Sequence, residues 1–372
     1  MKIIQVITQG HELYGAQKHV LDLSEKLKDD GHQILVIVGS KGNMTNELDL
    51  RGISFYELKF LKRNINIYYD IVAFYKLIIL FKEFKPDLVA SHSSKAGILV
   101  RLVCFLYKIP NVFTVHGWSF EEGINTYSRF FFLQVERLMG LISNKIICVS
   151  HSSKSYAIKK GVANQSKIEV IYNGINDLNK RNEPIINKED VRTGLNKRLV
   201  MVAGFRPQKD YFTLIMSLKN IVDFEWEAYF IGDGPLLNEM KELVVSLNLE
   251  NRIIFTGAIN NVHAFLESSK IMVLSTNWEG LPLSILEGMS FNLPIIATNL
   301  DGIKEEVIAG YNGILVGRKN ISELSNALRY LLSNEELRIQ MGNNSRKLFL
   351  EKFTIENMYL ETFKVYSKIA TK

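Results

Sequence analysis

Cysteine is scarce in this sequence. Cys104 and Cys148 stand alone, neither in a C-x-x-C pair, which excludes a thiolate metal cluster and a disulfide framework. Both lie in apolar surroundings, as the reduced core thiols of a cytoplasmic protein do. There is no D-x-D pair to hold a cation, and no G-x-G-x-x-G follows the first apolar run, which argues against dinucleotide-dependent redox chemistry. A dense arginine cluster is missing too, so no nucleic acid partner is expected. Long apolar runs are also absent. The most apolar helical stretch, Ile71 to Phe81, is interrupted by Lys76 and falls short of the roughly 20 residues a bilayer requires. Met1 to Gly10 holds one short apolar stretch followed by polar residues and reads as a first strand, not as a signal peptide. No solenoid repeat or low-complexity tract is evident.

What is present is a long alternation of strands and helices. With 372 residues, 47% of them hydrophobic, the chain can bury two cores of ordinary size. Apolar runs at Ile3–Thr8, Gln33–Val38, Leu88–Ser91, Val112–Val115 and Lys145–Val149 alternate with helical patterns starting near Ala16, Ile67, Ala96, Thr126 and Ser152. Near-continuous apolar strands between helices indicate a parallel sheet covered on both faces. A polar stretch from Asn173-Gly174 to Asn196, containing Pro184, reads as a linker. A second series follows, with strands at Arg198–Ala203, Glu227–Ile231, Arg252–Thr256, Ile271–Leu274, Pro294–Ala297 and Gly313–Val316. The expected organisation is an α/β protein of two Rossmann-like doubly wound domains facing a central cleft. The first spans 1–172, a linker 173–197, the second 198–353, and a last helix, 354–372, crosses back onto the first domain.

The formal net charge of +6 falls wholly within residues 1–190. There Lys59-Phe60-Leu61-Lys62-Arg63 leads into Ile67 to Phe84, which mixes Tyr68, Tyr69, Phe74, Tyr75 and Phe81 with Lys76, Lys82 and Lys85, and Arg129-Phe130-Phe131-Phe132 repeats the theme. Basic and aromatic side chains interleaved in this way hold a protein against an anionic membrane surface. The same pattern also suits an ordinary helix with an aromatic core face and a solvated lysine face.

The most informative stretch is Trp278-Glu279-Gly280-Leu281-Pro282-Leu283-Ser284-Ile285-Leu286-Glu287. Pro282 fits the first turn of a helix, so Leu283, Ser284 and Ile285 would present backbone donors to an anion such as phosphate. Glu287, about one turn further in, could accept from the vicinal hydroxyls of a ribose, while Glu279 faces the other side of the anion. Ala203-Gly204-Phe205-Arg206-Pro207-Gln208-Lys209 is a glycine turn with two cations ahead of a helix. Arg206 and Lys209 suit neutralisation of a departing diphosphate. Gly232-Asp233-Gly234-Pro235 is a second strand-to-helix turn.

In order and spacing these motifs, with Asn173-Gly174-Ile175 at the domain junction, resemble those of the retaining glycosyltransferases of family 4, of GT-B fold, and within them the bacterial capsule and exopolysaccharide enzymes. The resemblance covers nearly the whole chain. It implies that Arg206 and Lys209 contact the donor diphosphate and that Glu287 binds the ribose. It also implies that Glu279 and the backbone from Gly280 to Ile285 hold the donor sugar and phosphate. Asn173, Gly204 and Asp233 are placed on the donor side with them. Tyr14-Gly15-Ala16-Gln17 is similar to the family's Gly-Gly-Ala-Glu loop, whose backbone approaches the donor phosphate at Gly15 and Ala16. Tyr14 replaces the first glycine, so it either reshapes the loop or adds a ring to the acceptor pocket. By the same resemblance His116, in Thr114-Val115-His116-Gly117-Trp118, lies near the donor sugar and assists the reacting centre. His92, Trp118 and Tyr14 are expected on the acceptor side.

The implied chemistry is transfer of a hexosyl or N-acetylhexosaminyl unit from a nucleoside-diphosphate sugar, with UDP the expected carrier and GDP the alternative, to a saccharide or polyprenyl-diphosphate-linked acceptor. Retention is implied by the family. No cofactor or metal is expected, and the protein would work in the cytoplasm, peripherally on the inner face of the membrane. Two other readings remain. A nucleotide-sugar epimerase shares the architecture but needs acid and base carboxylates in the first domain, where no matching cluster is seen. A catalytically silent nucleotide- or glycan-binding subunit would not need Glu279, Glu287, Arg206, Lys209 and His116 together.

Overall fold

The computed structural model describes residues 1–120, 125–180, 197–259 and 261–370. The chain divides into two compact units, Met1–Gly174 with Ile355–Lys372, and Ile175–Thr354. Of the expected linker, residues 181–196 lie outside the described residues.

The first unit runs β1 (Lys2–Ile7), α1 (Gly15–Asp29), β2 (Gln33–Val38), α2 (Asn43–Leu50), β3 (Phe55–Glu57), α3 (Ile67–Phe84), β4 (Leu88–Ser91), α4 (Ser94–Tyr107), β5 (Asn111–Val115), α5 (Thr126–Ile142), β6 (Lys145–Cys148), α6 (His151–Lys159) and β7 (Ile168–Val170). All neighbouring strands pair in parallel, in the order β3-β2-β1-β4-β5-β6-β7. Strands such as Leu88–Ser91 are buried along their whole length, because helices cover both faces of the sheet. Arg101 on α4 is fully buried against Glu136 on α5 at 2.9 Å, with its guanidinium 4.2 Å from the Phe113 ring.

The second unit runs β8 (Arg198–Val202), α7 (Tyr211–Lys219), β9 (Glu227–Ile231), α8 (Leu237–Ser246), β10 (Ile253–Gly257), α9 (His263–Ser268), β11 (Ile271–Leu274), α10 (Leu283–Ser290), β12 (Ile295–Thr298), β13 (Gly313–Val316), α11 (Ile321–Ser333) and α12 (Glu335–Lys352). Its parallel sheet has the order β10-β9-β8-β11-β12-β13. Arg346 on α12 forms a bidentate pair with Asp177 at 2.6 and 2.7 Å, tying the start of this unit to its last helix. The chain then returns through α13 (Ile355–Ala370), which packs on α1: Tyr359 bonds Asp30, and Glu356 meets Lys26 at 2.9 Å. Met358, Tyr359 and Tyr366 of α13 join the apolar cluster under β1 and β2.

Both sheets repeat the same logic. The strand order reverses between β1 and β4 in the first unit and between β8 and β11 in the second, and the loops leaving those strands open at the same end of their sheet. Every sequence-derived site residue except Asn173, Asp233 and Glu287 lies on such a loop, on a helix start beside it or on the loop after β5, and Glu287 lies further along the helix that follows β11.

Candidate functional site

In the second unit, the loops after β8 and β11 are stitched together by two backbone hydrogen bonds and one from a side chain. Asp210 donates its N–H to the Ser275 carbonyl at 3.0 Å, Asn277 donates to Gln208 at 2.8 Å, and Gln208 Nε2 donates to the Trp278 carbonyl at 2.6 Å. Asp210 also caps α7, accepting from the Thr213 N–H at 3.1 Å and from its hydroxyl at 2.7 Å. This frame delivers Lys209 to Glu279: the ammonium donates to Glu279 Oε1, and the Thr276 hydroxyl donates to the same oxygen at 2.9 Å. Both charged groups are largely sheltered, with 16% and 8% of their side chains exposed.

Glycines set the close approaches. Gly302 lies so near the Glu279 loop that a Cβ there would fall 1.9 Å from the Gly280 carbonyl oxygen. Gly232 and Gly234 hold φ of 148° and 155° and press on the Ala203 and Phe205 carbonyls, so the turn after β9 braces the loop of Arg206. Asp233 serves that brace: its carbonyl accepts from the Phe205 N–H at 3.0 Å and its carboxylate from the Gly234 N–H at 2.7 Å. Gly204 is not among the positive-φ glycines.

The helix start differs by one residue from the sequence reading. Pro282 is the cap residue of α10, with φ −74° and ψ 118°, and the Ile285 N–H is used by the Pro282 carbonyl at 3.1 Å. Ile285 therefore offers no free donor, and the helix start presents the N–H groups of Leu283 and Ser284. Glu287 lies inside α10 and is 5% exposed, so a carboxylate stands at the inner wall of this region. A cavity of about 420 Å³ is lined by Lys209, Asp210, Asn277 and Lys319 but by neither glutamate, and so lies to one side of the Glu279–Glu287 pair.

Sequence reasoning passed over Glu306. It follows the short 3-10 turn Ile303–Glu305 and is fully buried, and neither carboxylate oxygen has a hydrogen-bond partner among the described residues. Burial first, and the like charge of Glu279 second, push its carboxyl well above the usual range, with Lys209 opposing. One more glutamate in Lys-Glu-Glu-Val carries no sequence signal of this.

In the first unit, three histidines meet. His19 comes from α1, His92 follows β4 and His116 follows β5. His92 Nδ1 lies 3.3 Å from His116 Nε2, and the His19 ring packs edge-on to His116 with centroids 4.7 Å apart. Burial holds all three below the usual histidine range, His19 at about 4 against the opposing Asn173 hydrogen bond; neighbouring histidines add to the shift at His92 and His116. Asn173 is itself buried, its amide oxygen 3.1 Å from His19 Nδ1, so that side chain serves the histidine group.

Two of the residues expected on the acceptor side are buried. Trp118 is 4% exposed, donates its indole N–H to the Ser153 carbonyl at 3.1 Å and packs among Phe113 and Phe120, so it is core. His92 is 2% exposed, with its nitrogens directed at Gln5 and His116. Tyr14 precedes Gly15 and Ala16, the first residues of α1, with an extended backbone (φ −90°, ψ −176°) that any residue adopts. The tyrosine therefore imposes no strain, and its ring is 43% exposed.

Two doubly wound units, each with its loops gathered where the strand order reverses, are the building blocks of the GT-B fold. Residues 14–177 match the model described as Glycosyltransferase Family 4, and residues 183–348 the model described as Glycosyl transferases group 1. The chain belongs to glycosyltransferase family 4. It is 32% identical to the UDP-Gal:alpha-D-GlcNAc-diphosphoundecaprenol alpha-1,3-galactosyltransferase of Escherichia coli over 355 residues, 92% of this chain and 91% of that protein. It is 25% identical to the capsular polysaccharide biosynthesis glycosyltransferase CapM of Staphylococcus aureus, with 82% and 83% covered. The crystal structure of Anabaena Alr3699/HepE in complex with UDP and glucose superimposes with a TM-score of 0.83 over 99% of both chains at 19% identity, which shows the shared fold. The protein is thus a glycosyltransferase that moves a sugar from a nucleotide sugar to an acceptor, and the epimerase and silent-subunit readings give way. Among the described residues, no helix is long and apolar enough to cross a membrane.

Proposed function

We propose that this enzyme transfers a hexosyl or N-acetylhexosaminyl unit from a UDP-sugar, with retention and without a metal on the diphosphate, to a polyprenyl-diphosphate-linked saccharide in capsule or exopolysaccharide synthesis. The observation that carries the donor half is the Lys209–Glu279 contact beside the start of α10. A lysine already sharing its charge with a carboxylate is held in place before the donor arrives, and Arg206, Lys209 and the Leu283 and Ser284 N–H groups together meet a developing diphosphate charge. Glu287 accepts from the ribose hydroxyls, and Glu279 turns its second oxygen to the sugar.

With the diphosphate stabilised, the bond from the anomeric carbon to the leaving oxygen breaks as the acceptor oxygen approaches on the same face. The acceptor proton passes to the leaving phosphate. His116 assists at the reacting centre by resemblance to the family. The relative from E. coli is named for a UDP-galactose donor and a diphosphoundecaprenol acceptor, which supports this choice of donor and acceptor.

Membrane attachment at the inner face rests on α3. Ile67, Ile71, Tyr75 and Ile79 recur every fourth residue and are all exposed, while Ala73, Leu77 and Phe81 face the core. The aromatic-core alternative thus accounts for Phe81 but not for this outer stripe, which is bordered by the exposed Lys62, Arg63 and Lys82.

A thermal-shift series with UDP, GDP, ADP and UDP-sugars in the presence of EDTA tests the donor half. UDP should raise the melting temperature with the chelator present. A shift with GDP alone would reassign the base, and a shift that vanishes with EDTA would overturn metal independence.

A further inference from the structure

We propose that His19, His92 and His116 form a binding site for one divalent transition cation of the zinc class. Each ring can offer one nitrogen, and the three nitrogens all lie within 4.8 Å of one another. The second nitrogen of two of the rings is already committed. His19 Nδ1 faces the Asn173 amide oxygen at 3.1 Å, and His92 Nε2 faces the Gln5 amide oxygen at 2.6 Å. An amide oxygen only accepts, so those nitrogens carry the protons, and the lone pairs are left on His19 Nε2 and His92 Nδ1. Metal-bound histidines are oriented in this way, by an acceptor on the far ring nitrogen.

His19 Nε2 is buried and has no hydrogen-bond partner among the described residues. A proton on His116 Nε2 can satisfy His92 Nδ1 but leaves His19 unsatisfied, whereas a cation satisfies all three once the nitrogens, within 4.8 Å of one another, draw in to bonding distance. The 3.3 Å between His92 Nδ1 and His116 Nε2 equals the edge, about 3.3 Å, of a tetrahedron with zinc–nitrogen bonds of about 2.0–2.1 Å. Three imidazoles with no carboxylate select zinc, cobalt, nickel or copper over magnesium or calcium. The low basicity that burial gives these rings keeps them unprotonated, as ligation requires. His116, half-buried where the other two are buried, is the side from which a cation enters and where a fourth ligand would stand. Occupancy would withdraw His116 from transfer, a consequence that rests on the role proposed for it above; the site itself does not.

The test reads binding and not turnover, which separates its failure from that of the proposed function. Chelator-stripped protein is titrated with Co²⁺ and then Zn²⁺, following the visible bands of tetrahedral cobalt. One equivalent should bind and be displaced by one equivalent of zinc. His116→Ala should weaken binding by more than about tenfold, while His11→Ala and His263→Ala leave it unchanged. His19→Ala should behave as His116→Ala does. Because His19 is buried and its variant can fail to fold, X-ray absorption of the zinc-loaded wild type provides a second reading, with three imidazole nitrogens expected at about 2.0–2.1 Å. Absence of stoichiometric binding, undiminished binding in His116→Ala, fewer than three imidazoles, or loss of binding in His11→Ala, which would mean a surface site at His11 and Glu12, would each overturn the proposal.

Discussion

Lys209 donates directly to Glu279 although 70 residues separate them, and the Thr276 hydroxyl donates to the same carboxylate oxygen. The lysine is thereby held without substrate, at the point where the sheet order reverses. Lys209→Met and Glu279→Gln should consequently be non-additive. A double-mutant cycle on kcat/KM should show a coupling of about 0.5–3 kcal/mol, and additive losses would mean that the contact has no part in transfer.

Glu287 and Glu279 should separate kinetically. Glu287→Ala should weaken UDP binding by about tenfold, the loss expected for a hydrogen bond to a charged acceptor, while Glu279→Ala should lower turnover more than nucleotide affinity. Calorimetry with UDP, paired with single-turnover rates, checks both. Equal UDP affinity of Glu287→Ala and wild type would remove the ribose assignment.

Glu306 gives a pH dependence of known sign. Its native carboxyl is raised, so between the ordinary carboxylate value and the raised one the folded state keeps a proton that the unfolded state has lost. Its stabilising share is complete below the ordinary value and disappears as pH rises through the folded value. Glu306→Gln, neutral throughout, should therefore gain on the wild type in denaturation midpoint as pH rises above the ordinary carboxylate value. A gap that narrows with rising pH would show that Glu306 is ionised in the native state.

Gly302→Ala should act at a distance from the charges. The added Cβ would collide with the Gly280 carbonyl and crowd that of Glu279, so the loop must shift. UDP affinity should fall while the circular dichroism of the folded protein is retained. Unchanged affinity would mean that the loop accommodates a methyl group and does not depend on this contact.

The outer stripe of α3 predicts surface binding. Ile71→Glu and Tyr75→Glu, both at exposed positions, should reduce co-sedimentation with vesicles containing anionic lipid and leave UDP binding intact. Vesicle binding that persists in both variants would move the membrane contact elsewhere or eliminate it.

Much of the architecture is local and was legible. β2, β4, β9, β11 and β13 begin and end where the apolar runs do, because a strand buried on both faces must be apolar along its length. The three-residue edge strands β3 and β7, and α2, left too little pattern to read. Pro282 caps its helix and does not stand in the first turn, a difference of one position that the sequence leaves open because both places accept a residue without an N–H.

By itself the sequence determined the two alternating series, the residues that bear charge at strand ends, and the buried helix carrying Glu287, all of which follow from periodicity and short-range backbone chemistry. Which of those residues touch was decided only by the tertiary structure. Lys209 meets Glu279 because β8 and β11 are neighbours in the sheet while lying far apart in the chain. The same kind of crossing brings His19, His92 and His116 together from three segments, turns Trp118 into the core and strands the Glu306 carboxyl beside Glu279. A side chain on a strand-end loop has no periodicity to announce which way it faces, so its partners become known only when the sheet order is.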